Sequence, residues 1–218
     1  MPKPSTIHPP VTHPPLQARS REKLERVLVA CEALLETQLF EEITMAELAR
    51  RARVAVGTLY TRFKSKDDLL PALFARHDAA VAQRVERLMG SLAQEPSLKA
   101  RIQTLVDFAV DYHRTHRGLL RALTMFVRAH GQSLPAKAWR KRAGQYRAVA
   151  QVVLGDGKGF RPGDPLEATE FALGIINSVC REQVLFDEVT PLRGHTDLGT
   201  LKRRLAHMIQ RDLMATSI

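Results

Sequence analysis
The sequence predicts an all-α protein of about nine helices, with a three-helix amino-terminal unit ahead of a larger helical bundle. Three observations predict it. Apolar residues recur three and four apart through most of the chain, the period of a helix buried on one side. Helix-start patterns stand at Thr44–Glu47 and Ser65–Asp68, each a small polar residue followed three later by an acid. Breaks at Pro96-Ser97, Gly118, Pro135 and the glycine-rich stretch 155–165 divide the second half into five helical segments.

Composition bounds the function. A chain of 218 residues with 44% hydrophobic content can bury a sizeable core in one or two domains. Its formal net charge of +10 favours an anionic partner, either nucleic acid or an anionic membrane surface. No apolar run is long enough to span a bilayer, and no basic segment followed by an apolar stretch opens the chain. The cysteines, Cys31 and Cys180, form no CxxC pair, which fits a reduced, cytoplasmic compartment.

Residues 1–17 are proline-rich and poor in apolar residues, and read as an extended or disordered arm. The amino-terminal unit is placed at 18–66. Its first helix is expected from about Ser20 to Thr37, with Leu24, Val27, Leu28, Cys31, Leu34 and Leu35 on one face. Phe40 and Ile43 close the following loop. The stretch Thr44–Phe63, TMAELARRARVAVGTLYTRF, then reads as two short helices around a tight turn. Thr44 and Glu47 form a capping box, Val54 fills the corner, and Leu59 and Phe63 share one face of the second helix. The opposite face carries Thr58, Thr61 and Arg62, with Tyr60 alongside. A slim polar face of this kind suits the DNA major groove.

The segment TMAELARRARVAVGTLYTRFKSKDDLL resembles the helix-turn-helix of the TetR family of transcriptional regulators. G-T-L-Y-x-x-F-x-S-K-x-x-L is the most specific part of that likeness, which spans roughly residues 20–75. The resemblance implies a homodimer on a double-stranded DNA operator, a small-molecule effector and no cofactor. Candidate DNA contacts are Arg19, Arg21, Thr44, Ala55, Val56, Gly57, Thr58, Tyr60, Thr61, Arg62, Lys64 and Lys66. Basic residues at Arg19 and Arg21 either approach phosphates or are solvated charge. Alanine at 55, where the family commonly has serine, can neither cap the helix nor reach a phosphate. Val56 can pack on thymine methyl groups. Tyr60 gives its hydroxyl to a phosphate in the family, and Arg62 pairs with a phosphate or a guanine edge. Lys66 is expected on the first turn of a fourth helix opening at Ser65, where a phosphate would satisfy both charge and helix dipole.

Residues 67–218 form the ligand-binding and dimerisation domain in this reading. Its first helix runs on towards Leu92 as a lever between the domains, slightly bent at Pro71. Candidate ligand contacts are Phe108, Tyr112, Met125, Phe126, Trp139, Tyr146 and Asn177, aromatic, flexible or polar positions within apolar runs. The last two helices, about 165–188 and 196–214, offer an interface through Phe171, Ile175, Ser178, Val179, Leu198, Leu201, Leu205 and Met208. The same stripes also suit an internal hairpin.

Other chemistries find little footing. His113 and His116 share a helix with Asp111, but no HExxH pattern or third ligand accompanies them, and metal binding is not predicted. The Gly-rich loop lacks Walker spacing, and no catalytic elbow or dinucleotide fingerprint appears. The expectation is a non-enzymatic, cytoplasmic, DNA-binding regulator, a repressor released by a small molecule. The alternatives are a ligand-independent DNA binder, or an all-α enzyme or membrane-surface protein that merely contains the hairpin.

Overall fold
Two apolar cores, joined by one long helix, organise the chain. The computed structural model describes residues 14–130, 136–161, 163–186 and 197–214, with the side chains of 14–17, 19 and 136–139 outside that description. The proline-rich stretch 1–13, the side chain of Arg19 and that of Trp139 therefore lie beyond it. The elements are α1 (Pro14–Leu35), α2 (Met45–Ala52), α3 (Val56–Arg62), α4 (Leu69–Gln94), α5 (Leu98–Thr115), α6 (Arg117–His130), α7 (Ala136–Leu154), α8 (Pro165–Cys180) and α9 (Leu198–Leu213). A π-helical turn, Arg181–Leu185, extends α8. Among the described residues the one β-type pairing is an isolated bridge between Phe160 and Met214, which ties the glycine-rich loop to the end of α9.

The first core collects Val27, Leu28, Cys31 and Leu34 of α1, Leu48 of α2, Leu59 of α3 and Leu69, Leu73 and Phe74 of α4. It also takes Leu119, Ala122 and Leu123 of α6. The second core joins Leu88 and Leu92 of α4 to α5, α7, α8 and α9. Helix α4 thus belongs to both cores, and its 26 residues span about 39 Å. Arg76 fixes it to α1 by ion pairs to Glu25 at 2.7 Å and Glu32 at 2.6 Å. The two halves also meet at Gly118, where a Cβ would lie 1.7 Å from the Leu35 carbonyl oxygen. Only a residue without a side chain lets α6 rest on the end of α1.

Several boundaries differ from those read in the sequence. Helix α1 starts at Pro14, so 14–17 are helical backbone rather than arm. Prolines are tolerated there because first-turn N–H groups have no intrahelical acceptor. Helix α4 starts at Leu69, not Ser65; the Ser65 N–H donates to Asp68 Oδ2 at 3.0 Å in a turn ahead of it. Pro71 consequently falls in the first turn, where no helical hydrogen bond is lost. The α9 stripe also needs correction as an interface. Leu201 and Leu205 are 7% and 3% exposed and belong to the second core, whereas Met208 is 47% exposed. Spacing identifies a buried face of a helix but not which neighbour covers it.

Gly118→Ala should cost ~1–3 kcal/mol through overpacking at the α1–α6 contact. The urea unfolding midpoint checks this, and an unchanged midpoint would show that the junction yields freely.

Candidate nucleic-acid interface and effector cavity
The helix-turn-helix is built from caps and one buried face. Thr44 Oγ1 accepts the Glu47 N–H at 3.1 Å and starts α2. The Glu47 carboxylate accepts from Gln38 Nε2 at 3.0 Å, so the second half of the expected box is replaced by a clamp on the α1–α2 loop. Arg53 ends α2 in the left-handed region with φ 55°, and the Val54 N–H reaches the Ala49 carbonyl at 3.0 Å. That closure turns the chain sharply into α3. Val54 packs against the first core, as the sequence implied.

Helix α3 buries Leu59, and Phe63 follows it into the core. Ala55, Val56, Gly57, Thr58, Tyr60, Thr61 and Arg62 are all exposed, Tyr60 by 53%. Nothing lies within 4 Å of a Cβ placed on Gly57, so glycine there keeps the surface low rather than relieving an internal clash. Thr61 donates its hydroxyl to the Gly57 carbonyl at 2.8 Å, which engages that proton within the helix. Arg62 donates one N–H to Ser20 Oγ at 3.1 Å and so braces α3 on α1. Arg21 and Lys64 are exposed. Arg50, Arg51 and Arg53, not singled out in the sequence, are exposed at the end of α2 and add positive charge; the basic run itself was their signal.

Lys66 differs from its expected placement. It precedes α4, and its ammonium donates to the Phe40 and Glu41 carbonyls at 2.8 and 2.7 Å while lying 5.1 Å from the centre of the Phe40 ring. Two of its three donors therefore hold the α1–α2 loop. Tertiary contact with a loop twenty-five residues upstream decides this, and no local pattern reports it.

A cavity of about 270 Å³ opens between α4, α5, α6, α7, α8 and the π-helical turn. Of the residues expected to bind ligand, Phe108, Tyr112, Tyr146 and Asn177 line it. The Phe108 and Tyr112 rings stack 5.9 Å apart at 4°, and the Asn177 amide donates to the Tyr146 hydroxyl. Met125 and Phe126 do not line it. Met125 is 47% exposed, and Phe126 packs towards Phe74, ring centres 6.5 Å apart. Leu120 and Thr124 are the α6 residues facing the cavity, and the two positions after Thr124 point about 100° and 200° away. The sequence reading missed His77, Arg84, His113, Arg142 and Arg181, which also line it. They lie on four separate segments, so only folding brings them together.

Burial, reinforced by Arg142 and Arg84, pushes the His77 imidazole down to about 4. Its Nε2 lies 3.2 Å from the Tyr112 hydroxyl, itself pushed up to about 12 mainly by burial. Burial also lowers His113, whose Nδ1 sits 2.8 Å from the Ala109 carbonyl oxygen. On α8, Phe171 is 66% exposed and Ser178 is exposed, with Ile175 and Val179 half-buried beside them. Gly174 on the same face has open space above it.

The unfolded chain protonates His77 at higher pH than the folded one, so its contribution is complete above pH 6.5 and fades as pH falls towards 4. Acidification from pH 7 to 5 should cost on the order of 2 kcal/mol through this group. Stability against pH for the wild type and His77→Gln checks it; parallel curves would contradict the assignment.

Residues 27–73 match the family model described as bacterial regulatory proteins, tetR family. The chain is 26% identical over 170 residues to the nucleoid occlusion factor SlmA of Haemophilus influenzae, covering 75% of this chain and 77% of that protein. It is 37% identical over 67 residues to the HTH-type transcriptional repressor KstR of Mycobacterium tuberculosis, covering 31% and 30% of the two chains. The fold is similar to that of a putative transcriptional regulator from Saccharomonospora viridis in complex with choline, with TM-score 0.68, 16% identity and coverage of 90% and 100%. The matched segment is the one that builds α2, α3 and their support, and over it this chain carries the amino-terminal domain of the tetR family of bacterial regulatory proteins.

Proposed function
We propose that the chain acts as a homodimeric repressor that leaves its operator when a small molecule enters the cavity. One observation carries this reading: α4 completes the core under α3 with Leu69, Leu73 and Phe74, and farther along walls the cavity with Val81, Arg84 and Val85. A molecule that moves this helix moves the recognition helix. It acts as an effector only if it binds the moved state more tightly. The similarity to KstR, named a repressor, supports the sign of regulation, and the choline-bound neighbour supports a small-molecule ligand.

Two copies are needed because one seven-residue helix reads few base pairs. A twofold dimer sets two such helices about 34–36 Å apart on one face of DNA. The proposed interface is the α8 face around Phe171, Ile175, Ser178 and Val179, with Leu198 and Met208 of α9 at its edge. Val56, Thr58 and Tyr60 read or position the duplex, and Ala55 with Gly57 lets the backbone approach. Arg62 and Lys64 supply the salt-dependent part of affinity, joined by Arg21. Thr44 and Thr61 mainly shape the helices. Location in the cytoplasm is supported by two free, buried cysteines, Cys31 and Cys180, each pushed up to about 12 by burial. Among the described residues no helix is long and apolar enough to cross a membrane.

Phe171→Asp should give monomers that bind DNA at least tenfold more weakly, whereas Leu205→Asp should fail to fold; sedimentation and circular dichroism separate the two. A dimeric Phe171→Asp variant would refute the interface. Val56→Lys should change the sequences recovered from a random-duplex selection, and an unchanged consensus would mean that position 56 reads no base. A protein that holds its selected duplex in the presence of every small molecule tried would favour the ligand-independent regulator.

A further inference from the structure
We infer that the cavity takes an amphipathic anion, an apolar body ending in one carboxylate, and that Arg142 relays its arrival to the DNA-binding core. The inference rests on the effector reading above and names the ligand class for that site. Its first support is charge. The cavity is lined by Arg84, Arg142 and Arg181 and by no Asp or Glu. Their guanidinium groups are poorly matched by the protein itself. Arg84 lies 5.5 Å from the centre of the Tyr112 ring, and Arg181 reaches Ser178 Oγ at 3.4 Å. Neither has a carboxylate within ion-pair distance among the described residues. The Arg142 Nε lies 3.8 Å from Asp78 Oδ1, but Asp78 is held more closely by Lys141 at 2.6 Å.

Positive charge gathered against apolar walls is costly without a counter-charge. A carboxylate supplies it, and guanidinium binds carboxylate through two parallel hydrogen bonds. Burial, with a smaller contribution from these arginines, lowers both neighbouring histidines. Leu88, Leu105 and Leu173 give the wall an apolar part, beside neutral polar groups such as Thr124, Gln145 and Asn177. At about 270 Å³ the space suits a compact body rather than a bulky one. A quaternary ammonium such as the choline of the Saccharomonospora viridis complex would be repelled here, although the fold is similar.

Arg142 is also the physical link outward. Its guanidinium sits 4.8 Å from the centre of the Phe74 ring, and Phe74 is a member of the first core. A carboxylate in the cavity competes with Phe74 and Asp78 for the same group. Drawing Arg142 inward loosens its hold on α4 next to the DNA-binding domain.

Calorimetry on the full-length protein with octanoate, octanol and octyltrimethylammonium tests the ligand class, and release of a selected fluorescent duplex tests the relay. Octanoate should bind at least tenfold more tightly than octanol, with the ammonium weakest. Arg84→Met and Arg181→Met should each erode that preference, so one folded variant suffices. Arg142→Met should still bind octanoate but release DNA at least tenfold less readily. Absence of octanoate binding, equal affinity for the alcohol, or a preference that survives both variants overturns the anion site. Equal release by the Arg142→Met variant overturns the relay. Octanoate that binds selectively yet leaves the duplex bound keeps the anion site and sinks the effector reading. Release by the alcohol or the ammonium alone does the reverse.

Discussion
The burial of Leu59 and Phe63 beneath α3 is the constraint on which the molecule depends. A helix of seven residues is far too short to persist in water by its own hydrogen bonds. It exists because those two side chains enter a core assembled from α1, α2, α4 and α6. This leaves every other α3 residue exposed, and a fully exposed slim face is what a groove-reading helix requires. The element that touches DNA thus borrows its rigidity from helices that do not.

In the proposed mechanism that borrowing also makes the protein responsive. A core shared with α4 and α6 cannot be isolated from events farther along those helices. Gly118 seats α6 directly on the Leu35 carbonyl, and Arg76 pins α4 to α1. In the mechanism we propose, the contacts that stabilise the DNA-binding domain are also the route by which a change around the cavity reaches it. Arg142 occupies the middle of that route, between Phe74 and the cavity.

Polar groups are used economically at the site. Lys66 and Thr61 both carry donors suited to DNA, yet each gives protons to carbonyls of its own chain. Such groups determine the shape and angle of the reading surface. The exposed side chains of Tyr60, Val56 and Lys64 are the ones we propose meet the duplex.

Much was legible in the sequence where the physics is local. Helical period, the Thr44 cap, the Val54 corner and the buried pair Leu59 and Phe63 all follow from residues within a few positions of one another. So did the general location of the cavity, through Phe108, Tyr112, Tyr146 and Asn177. What folding alone decided involves residues far apart. The Lys66 clamp on residues 40 and 41, the burial of Leu201 and Leu205 in their own core, and the gathering of three arginines around a cavity lined by no Asp or Glu all depend on packing angles between helices. A one-dimensional pattern shows that a helix has an apolar face or a charge, but not which neighbour meets it, because that choice is made by the simultaneous packing of the whole chain.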